Sequence, residues 1–417
     1  MINVSREIAT AFLTGNGSKY VGFTIFHKNE QGIAEPEYYR TEDFVNDSLL
    51  LKQGIHDTDI LDYSGCISSY CEVTLYRNIQ RNRIGDSCYL YIGTSMENCW
   101  CVFSGKIADV SQSYRSEIGK LSTKIVAYDS LHFLENETMG WSVDDRINSI
   151  VNTIAIRYSA GNSSIPELIN GNNHPNFNDR MESIRVLDVL KAIGQVNLTS
   201  PVIDRYGYLT FRQPDPDISA TYITREKFPS YSTLPGLNTF PGRNTAPIYR
   251  NNYIPNYKKM IISEVSEENV TKIISYRYYA DSTDEIATVY ESPREQVTTG
   301  RRIILEKSVI TGYTTGARRF IDTMLANFRN NKKYCYELTT VGLPYLETGD
   351  IICVDVIEFD DDGKYKTTRI PLIIGFRTLK GIQNMEDTFT FNFVPQGETT
   401  IFNGGADNIL FKEVEPE

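Results

Sequence analysis

Strand-length runs of alternating residues recur at both ends of this chain, and that recurrence most narrows the folds open to it. Near the N-terminus, Tyr20 to His27 reads Y-V-G-F-T-I-F-H and Tyr70 to Tyr76 reads Y-C-E-V-T-L-Y. Tyr89 to Ile92, Trp100 to Phe103 and Lys124 to Tyr128 continue the pattern, with turn residues such as Gly85-Asp86 and Asn98 between them. Period-two alternation punctuated by such residues is the mark of half-buried strands, and several at this spacing predict a β-barrel or small sandwich over 1–133. Near the C-terminus, Tyr334 to Thr340, Asp350 to Ile357, Lys366 to Phe376 and Thr388 to Phe393 repeat the signal.

Between these blocks the period changes. Val143, Ile147, Ile150, Val151 and Ile154 fall at helical spacing after Ser142 and Asp145, which form a capping-box-like pair, so a helix is predicted over 143–158. A polar loop, 159–180, leads to a second helix carrying Ile184, Leu187, Val189, Leu190 and Ile193, with Gly194 as its C-terminal stop. Pro201 to Phe211 reads as a hairpin with its turn at Asp204–Gly207. Residues 213–258 hold many Pro, Asn and Tyr with little periodicity and read as a long crossing segment. Strands at Lys272–Tyr279 and Ile303–Val309 and a helix at 314–328 follow. The expected fold class is β-rich α+β. It comprises a first β-barrel at 1–133, a helix–helix–hairpin unit at 134–212, a mixed segment at 213–329, a second barrel at 330–395 and an extended acidic tail at 396–417.

Charge and composition exclude several functions. The net charge of −11 makes an extended phosphate-binding surface a poor expectation. Five of the seven cysteines lie between Cys66 and Cys101 without a C-x-x-C pair, and the chain holds only four histidines, so free thiols in a reducing compartment are expected over zinc. No apolar run is long enough for a membrane span. Asp360-Asp361-Asp362-Gly363 resembles a calcium loop, but the twelfth position would be Arg369 where a bidentate Glu is needed. Glu291, Glu295, Glu347 and Glu386 have no spacing that pairs them for acid–base work. His27, His56, His132 and His174 show no partner spacing, and Cys99-Trp100-Cys101 lacks the flanks of a redox loop. Tyr276-Arg277-Tyr278-Tyr279 could stack bases but reads as a strand, and Arg301-Arg302 is too short for a nucleic-acid patch, though it suits a polar contact with an acidic neighbour. No catalytic, cofactor-binding or metal-ligating residue is expected.

One segment carries more than a strand signal: Gly342-Leu343-Pro344-Tyr345-Leu346-Glu347-Thr348-Gly349-Asp350-Ile351-Ile352-Cys353-Val354. It resembles the G-x-P-x-L-E-x-G-D-x-I pattern that opens the last barrel of the central hub proteins of phage tails and related contractile injection machines, a family similar to the base of type VI spike proteins. Glu42–Val45 through Leu49–Leu51, Ile60–Cys66 and Cys71–Val73 resemble the family's first barrel. Tyr206 to Phe211 resembles the ending of its helix–hairpin module, the 314–328 helix matches in position, and Lys380–Gln383 resembles its closing strand. The resemblance spans most of 40–395, and 213–258 has no counterpart in it.

The resemblance implies a structural, non-enzymatic part of a phage tail tip or baseplate. It implies a homotrimer whose two tube-like barrels per chain make a pseudo-six-fold ring, adapting the tail tube to a three-fold spike or fibre. Implied partners are the tail tube or distal tail ring, a spike, fibre or tape-measure protein, and genome DNA that passes without specific binding. Location in the virion, after assembly in the bacterial cytoplasm, follows. Because the chain ends soon after the last barrel, no fused lysozyme, peptidase or fibre is expected. The alternatives are a hexameric distal tail protein, a β-rich tail-associated hydrolase and a carbohydrate-binding surface protein.

Overall fold

The two strand-rich ends of the chain meet in one sheet. In this computed structural model the described residues are 4, 6–14, 18–29, 31–55, 65–79, 81–115, 120–140, 146–158, 184–197, 199–212, 253–254, 257–264, 270–278, 285–291, 301–305, 334–359 and 365–391. Helix α1 (Arg6–Thr14) precedes β1 (Tyr20–Lys28), β2 (Ala34–Tyr39), β3 (Leu50–Gly54), β4 (Tyr70–Leu75), β5 (Ser87–Gly93), β6 (Cys99–Arg115) and β7 (Lys120–Tyr128). The middle holds α2 (Ser130–Phe133), β8 (Thr138–Met139), α3 (Ile147–Tyr158), β9 (Ile184–Arg185), α4 (Val186–Asn197), β10 (Ser200–Ile203) and β11 (Leu209–Arg212). Then come β12 (Tyr253–Ile254), β13 (Lys259–Glu264), β14 (Val270–Tyr278), β15 (Glu285–Glu291) and β16 (Arg301–Leu305). The last block is β17 (Tyr334–Val341), β18 (Ile351–Phe359), β19 (Tyr365–Ile373), β20 (Phe376–Lys380) and β21 (Glu386–Phe391).

Eleven strands form an open sheet in the order β13-β17-β21-β20-β3-β4-β7-β6-β5-β1-β2. Its seam is the antiparallel pair β3–β20, running from Leu50↔Lys380 to Gly54↔Phe376. Backbone bonds extend the seam past both ends, from Ile55 N to Gly375 O at 2.9 Å and from Gly381 N to Leu49 O at 2.9 Å. Each strand supplies the other with the hydrogen-bond partners that an edge lacks. Among the described residues no closed barrel is seen, and the first and last blocks share one core. Val21, Phe23, Leu51, Val73, Leu90 and Phe103 of the first block pack in one cluster with Leu338, Leu346, Leu379 and Phe389 of the last. Alternation explains which face is buried. Along β4, β5 and β21, every second residue is buried and those between are half-exposed.

Smaller sheets are β12-β18-β19, β15-β14-β16, β10-β11 and β8-β9. The expected hairpin is present as β10–β11. Asp204 Oδ1 accepts from the N–H of Tyr206 and of Tyr208, both at 2.9 Å, and Gly207 takes φ +91°. That is an Asx-type turn with glycine at the left-handed position.

Several expected boundaries move. Helix α3 begins at Ile147, and Ser142 and Asp145 lie outside the described residues. Gly194 does not stop the second helix, because α4 continues through it to Asn197. Gly194 is buried there, and one interior glycine costs only about 1 kcal/mol against alanine, which the packing of α4 outweighs. Lys366–Phe376 is not one strand, since β19 ends at Ile373 and β20 begins at Phe376. Lys380–Gln383 is the end of β20 followed by a turn, with Gly381 at φ +79°, and the last strand among the described residues is β21. Strands β2 and β3 and helix α1 were not anticipated as elements. The 314–328 helix, 360–364, most of 213–258 and the 396–417 tail fall outside the described residues.

Candidate functional site

The Gly342–Asp350 turn is densely hydrogen-bonded. Two arginines hold it. Arg377 lies on β20 at a core-facing position, with its side chain 1% exposed. Its Nε donates to Asp387 Oδ1 at 2.8 Å and its Nη2 to Asp387 Oδ2 at 2.9 Å, a bidentate fork. The remaining donors turn to the backbone, Nη1 to Leu346 O at 2.6 Å and Nη2 to Leu343 O at 3.1 Å. Asp387 also accepts from Leu343 N at 2.6 Å. One buried ion pair therefore fixes Leu343 and Leu346 in the first half of the turn, and its geometry meets the demand that a buried charge be fully hydrogen-bonded.

The second arginine comes from the hairpin. Arg212, at the end of β11, pairs with Glu347 at 3.3 Å and donates to Thr348 O. Glu347 N in turn donates to Asp350 Oδ2 at 2.7 Å, and Gly349, at φ +84°, donates to Ile374 O at 2.7 Å. Burial alone would raise the Glu347 carboxyl, but the surrounding positive charge, that of Arg212 first, outweighs it and brings it to about 2. Glu347 is thus an ionised partner of arginine, unsuited to proton donation near neutrality.

The first block closes the junction. Trp100 Nε1 donates to Pro344 O at 3.3 Å, and Cys101 Sγ donates to Arg205 O at 3.0 Å. Phe12 of α1 meets Trp100 and Tyr345 edge-on, with centroids 5.9 and 6.3 Å apart. Four parts of the chain converge here: α1, the β5–β6 region, the hairpin and the last block.

The other candidates are scattered. Glu386 pairs with Lys258 at 2.8 Å on the surface. His27 sits between Glu35 at 3.6 Å and Glu37 at 3.5 Å, and His132 stacks on Tyr128 at 4.0 Å. Glu295, His56, His174 and Asp360–Gly363 lie outside the described residues. Strand β14 carries Tyr276–Tyr278, and β16 carries Arg301 and Arg302, but their side chains are not among those described. Cys66, Cys71, Cys88, Cys99 and Cys101 are free thiols. Burial raises all five, Cys66 and Cys101 to about 12, which favours the protonated thiol. No group of three or more His, Cys, Asp or Glu could hold a metal ion among the described residues. No helix of the described residues is long and apolar enough to cross a membrane.

No protein-family model matches the chain, and no curated protein matches it. Solved structures do. A tail protein from Neisseria meningitidis MC58 aligns with a TM-score of 0.53 at 10% identity, over 90% of this chain and 97% of that one. The 43 kDa tail protein of prophage MuSo2 from Shewanella oneidensis aligns with a TM-score of 0.50 at 9% identity, over 89% and 97%. A PdpA–VgrG complex aligns more loosely, with a TM-score of 0.45 at 11% identity, over 91% of this chain and 66% of that one. At such identities the likeness is one of fold. The resemblance to tail hub proteins read from the sequence is met at that level, across nearly the whole length of two tail proteins.

Proposed function

We propose that this chain, which shares the fold of two tail proteins, is a structural hub of a phage tail tip or baseplate. The observation that carries the reading is the alignment over 90% of this chain and 97% of the Neisseria meningitidis tail protein. In this reading three copies form a ring. The first and last strand blocks act as two tube-like units per chain, so the ring offers six to the tail tube and three-fold symmetry to a spike or fibre. The seam β3–β20 supports it, because it fixes the two blocks in one register and so sets their mutual angle. The arginine junction supports a structural role, since its carboxylates are consumed by Arg212 and Arg377. Neighbours in the assembly are the tube or distal tail ring on one side and a spike, fibre or tape-measure protein on the other, with the genome passing through. The protein then resides in the virion after assembly in the host cytoplasm.

The deciding measurement is the mass of the purified chain with and without tube protein, by light scattering. Three chains are expected. Six chains would favour a distal tail ring instead. A persistent monomer in the presence of tube protein would remove the hub reading, and hydrolysis of cell-wall polymer by the purified chain would remove the non-enzymatic one.

A further inference from the structure

The half-exposed face of the eleven-stranded sheet carries one uninterrupted transverse row. Strand by strand from β13 to β2, the paired residues are Lys259, Thr339, Thr388, Thr378, Lys52, Tyr70, Tyr128, Lys106, Ser87, Phe26 and Pro36. Each is half-exposed or exposed, while their chain neighbours Met260, Leu338, Phe389, Leu51, Cys71, Ala127, Ile107 and Cys88 are half-buried or buried on the other face. Cross-strand partners point to the same side, so the row is a physical stripe. With strands about 4.8 Å apart it runs about 48 Å, with Lys52 and Lys106 roughly 14 Å from each other.

Its chemistry stands out in an acidic protein. The row holds three lysines and six hydroxyl side chains, and no carboxylate. Lys52 lies over the Tyr70 ring at 5.9 Å and Lys106 over the Phe133 ring at 5.8 Å. Exposed cation–π contacts of this kind are weak, about 0.5–1 kcal/mol, so they hold the amines on the face without consuming them. The nearest carboxylates along the strands are partly met. Glu72 pairs with Lys124 at 2.8 Å and accepts from the Tyr70 hydroxyl, and Glu386 pairs with Lys258 at 2.8 Å, leaving Glu337 and Asp109 on the flanking rows. Lysine, serine, threonine and tyrosine are the side chains that contact phosphate oxygens irrespective of base sequence.

We propose that this row is a sequence-independent contact for the phosphate backbone of double-helical DNA, shallow and weak, suited to a duplex that must slide. Charge complementarity selects the occupant: a polyanion meets lysines and hydroxyls along the row, with the remaining acids on the flanking rows to either side. The identification of that duplex as a passing genome rests on the tail-hub reading, whereas the contact itself does not.

The test is fluorescence anisotropy of a short labelled duplex of mixed sequence with the full chain, across a salt series starting at about 20 mM. Neutralising three phosphates predicts a log–log salt slope of about −3. Lys52→Ala with Lys106→Ala should weaken binding at least about tenfold at low salt and flatten the slope to about −1. Lys52→Arg with Lys106→Arg should retain binding, as should Lys191→Ala on α4. Circular dichroism checks that each variant folds. No binding at low salt, or binding indifferent to the double alanine variant, would overturn the proposal. So would retention on vesicles containing phosphatidylserine without duplex binding, which would make the row a lipid contact. Duplex binding through the row by a chain that never forms a ring would sustain this inference while removing the hub reading. A ring that ignores DNA would do the reverse.

Discussion

Arg377 and Asp387 occupy core-facing positions of adjoining strands, so neither has water as an alternative partner. Removing one member of such a pair leaves a buried charge unmatched, at a cost of about 3–5 kcal/mol. Arg377→Met is therefore expected to lower the urea midpoint sharply. Because Trp100 touches Pro344, its fluorescence should report the loosened turn in a Trp141→Phe background. Gly349 offers a second residue-scale test. At φ +84°, with Arg212 Cδ 3.3 Å from the place of a β-carbon, Gly349→Val should cost about 1–3 kcal/mol, visible as a lower melting temperature. Two carboxyls give opposite pH signatures. Glu347 is depressed from 4.5 to about 2, so its stabilisation is full above 4.5 and is lost as pH falls toward 2. Burial lifts Asp129 from 3.8 to about 6, against hydrogen bonds from Ser69, Ser68 and Leu131. The folded state keeps that proton longer, so stability declines as pH rises from about 4 to 6. Unfolding free energies of wild type, Glu347→Gln and Asp129→Asn across pH 2–6.5 separate the two. The wild-type advantage over Glu347→Gln should shrink below pH 4.5, and its standing against Asp129→Asn should fall between about pH 4 and 6.

At the scale of elements, the seam β3–β20 makes the halves interdependent. Leu379 is fully buried, and Leu379→Ala should cost about 2–5 kcal/mol. Hydrogen exchange should then quicken in β3 and β4 as well as in β20 and β21. Loss of protection confined to the C-terminal strands would show that the blocks unfold separately. The strands themselves were readable from alternation: β1, β4, β5, β17 and β21 stand close to where Tyr20–His27, Tyr70–Tyr76, Tyr89–Ile92, Tyr334–Thr340 and Thr388–Phe393 predicted them. The seam was not, because strand pairing across the chain leaves no local trace. β2 was hidden by its own composition, Ala-Glu-Pro-Glu-Tyr-Tyr, which suits an exposed edge and lacks an apolar phase. The arginine junction does leave a local signal in the sequence. In Phe-Arg-Thr-Leu-Lys and Glu-Asp-Thr-Phe-Thr-Phe, an Arg and an Asp stand in the same alternating phase as buried Leu379, Phe389 and Phe391. Opposite charges in the core phase of consecutive strands announce a buried pair. Arg212, by contrast, reaches Glu347 from a distant hairpin, and nothing in the sequence joins them.

At the scale of the molecule, the fold settles where acidity matters. The formal charge of −11 is a sum, and one register row across the sheet departs from it. The seam also has a consequence in time. Its partners, Gly54 and Phe376, lie more than 300 residues apart. A ribosome adding about 5–20 residues per second needs roughly 15–65 s to deliver the second after the first. Throughout that interval β3 offers an open edge to any passing strand. The cell that makes this protein must therefore shelter a half-finished sheet, and slowing translation of the C-terminal third should raise its aggregation in proportion to the wait.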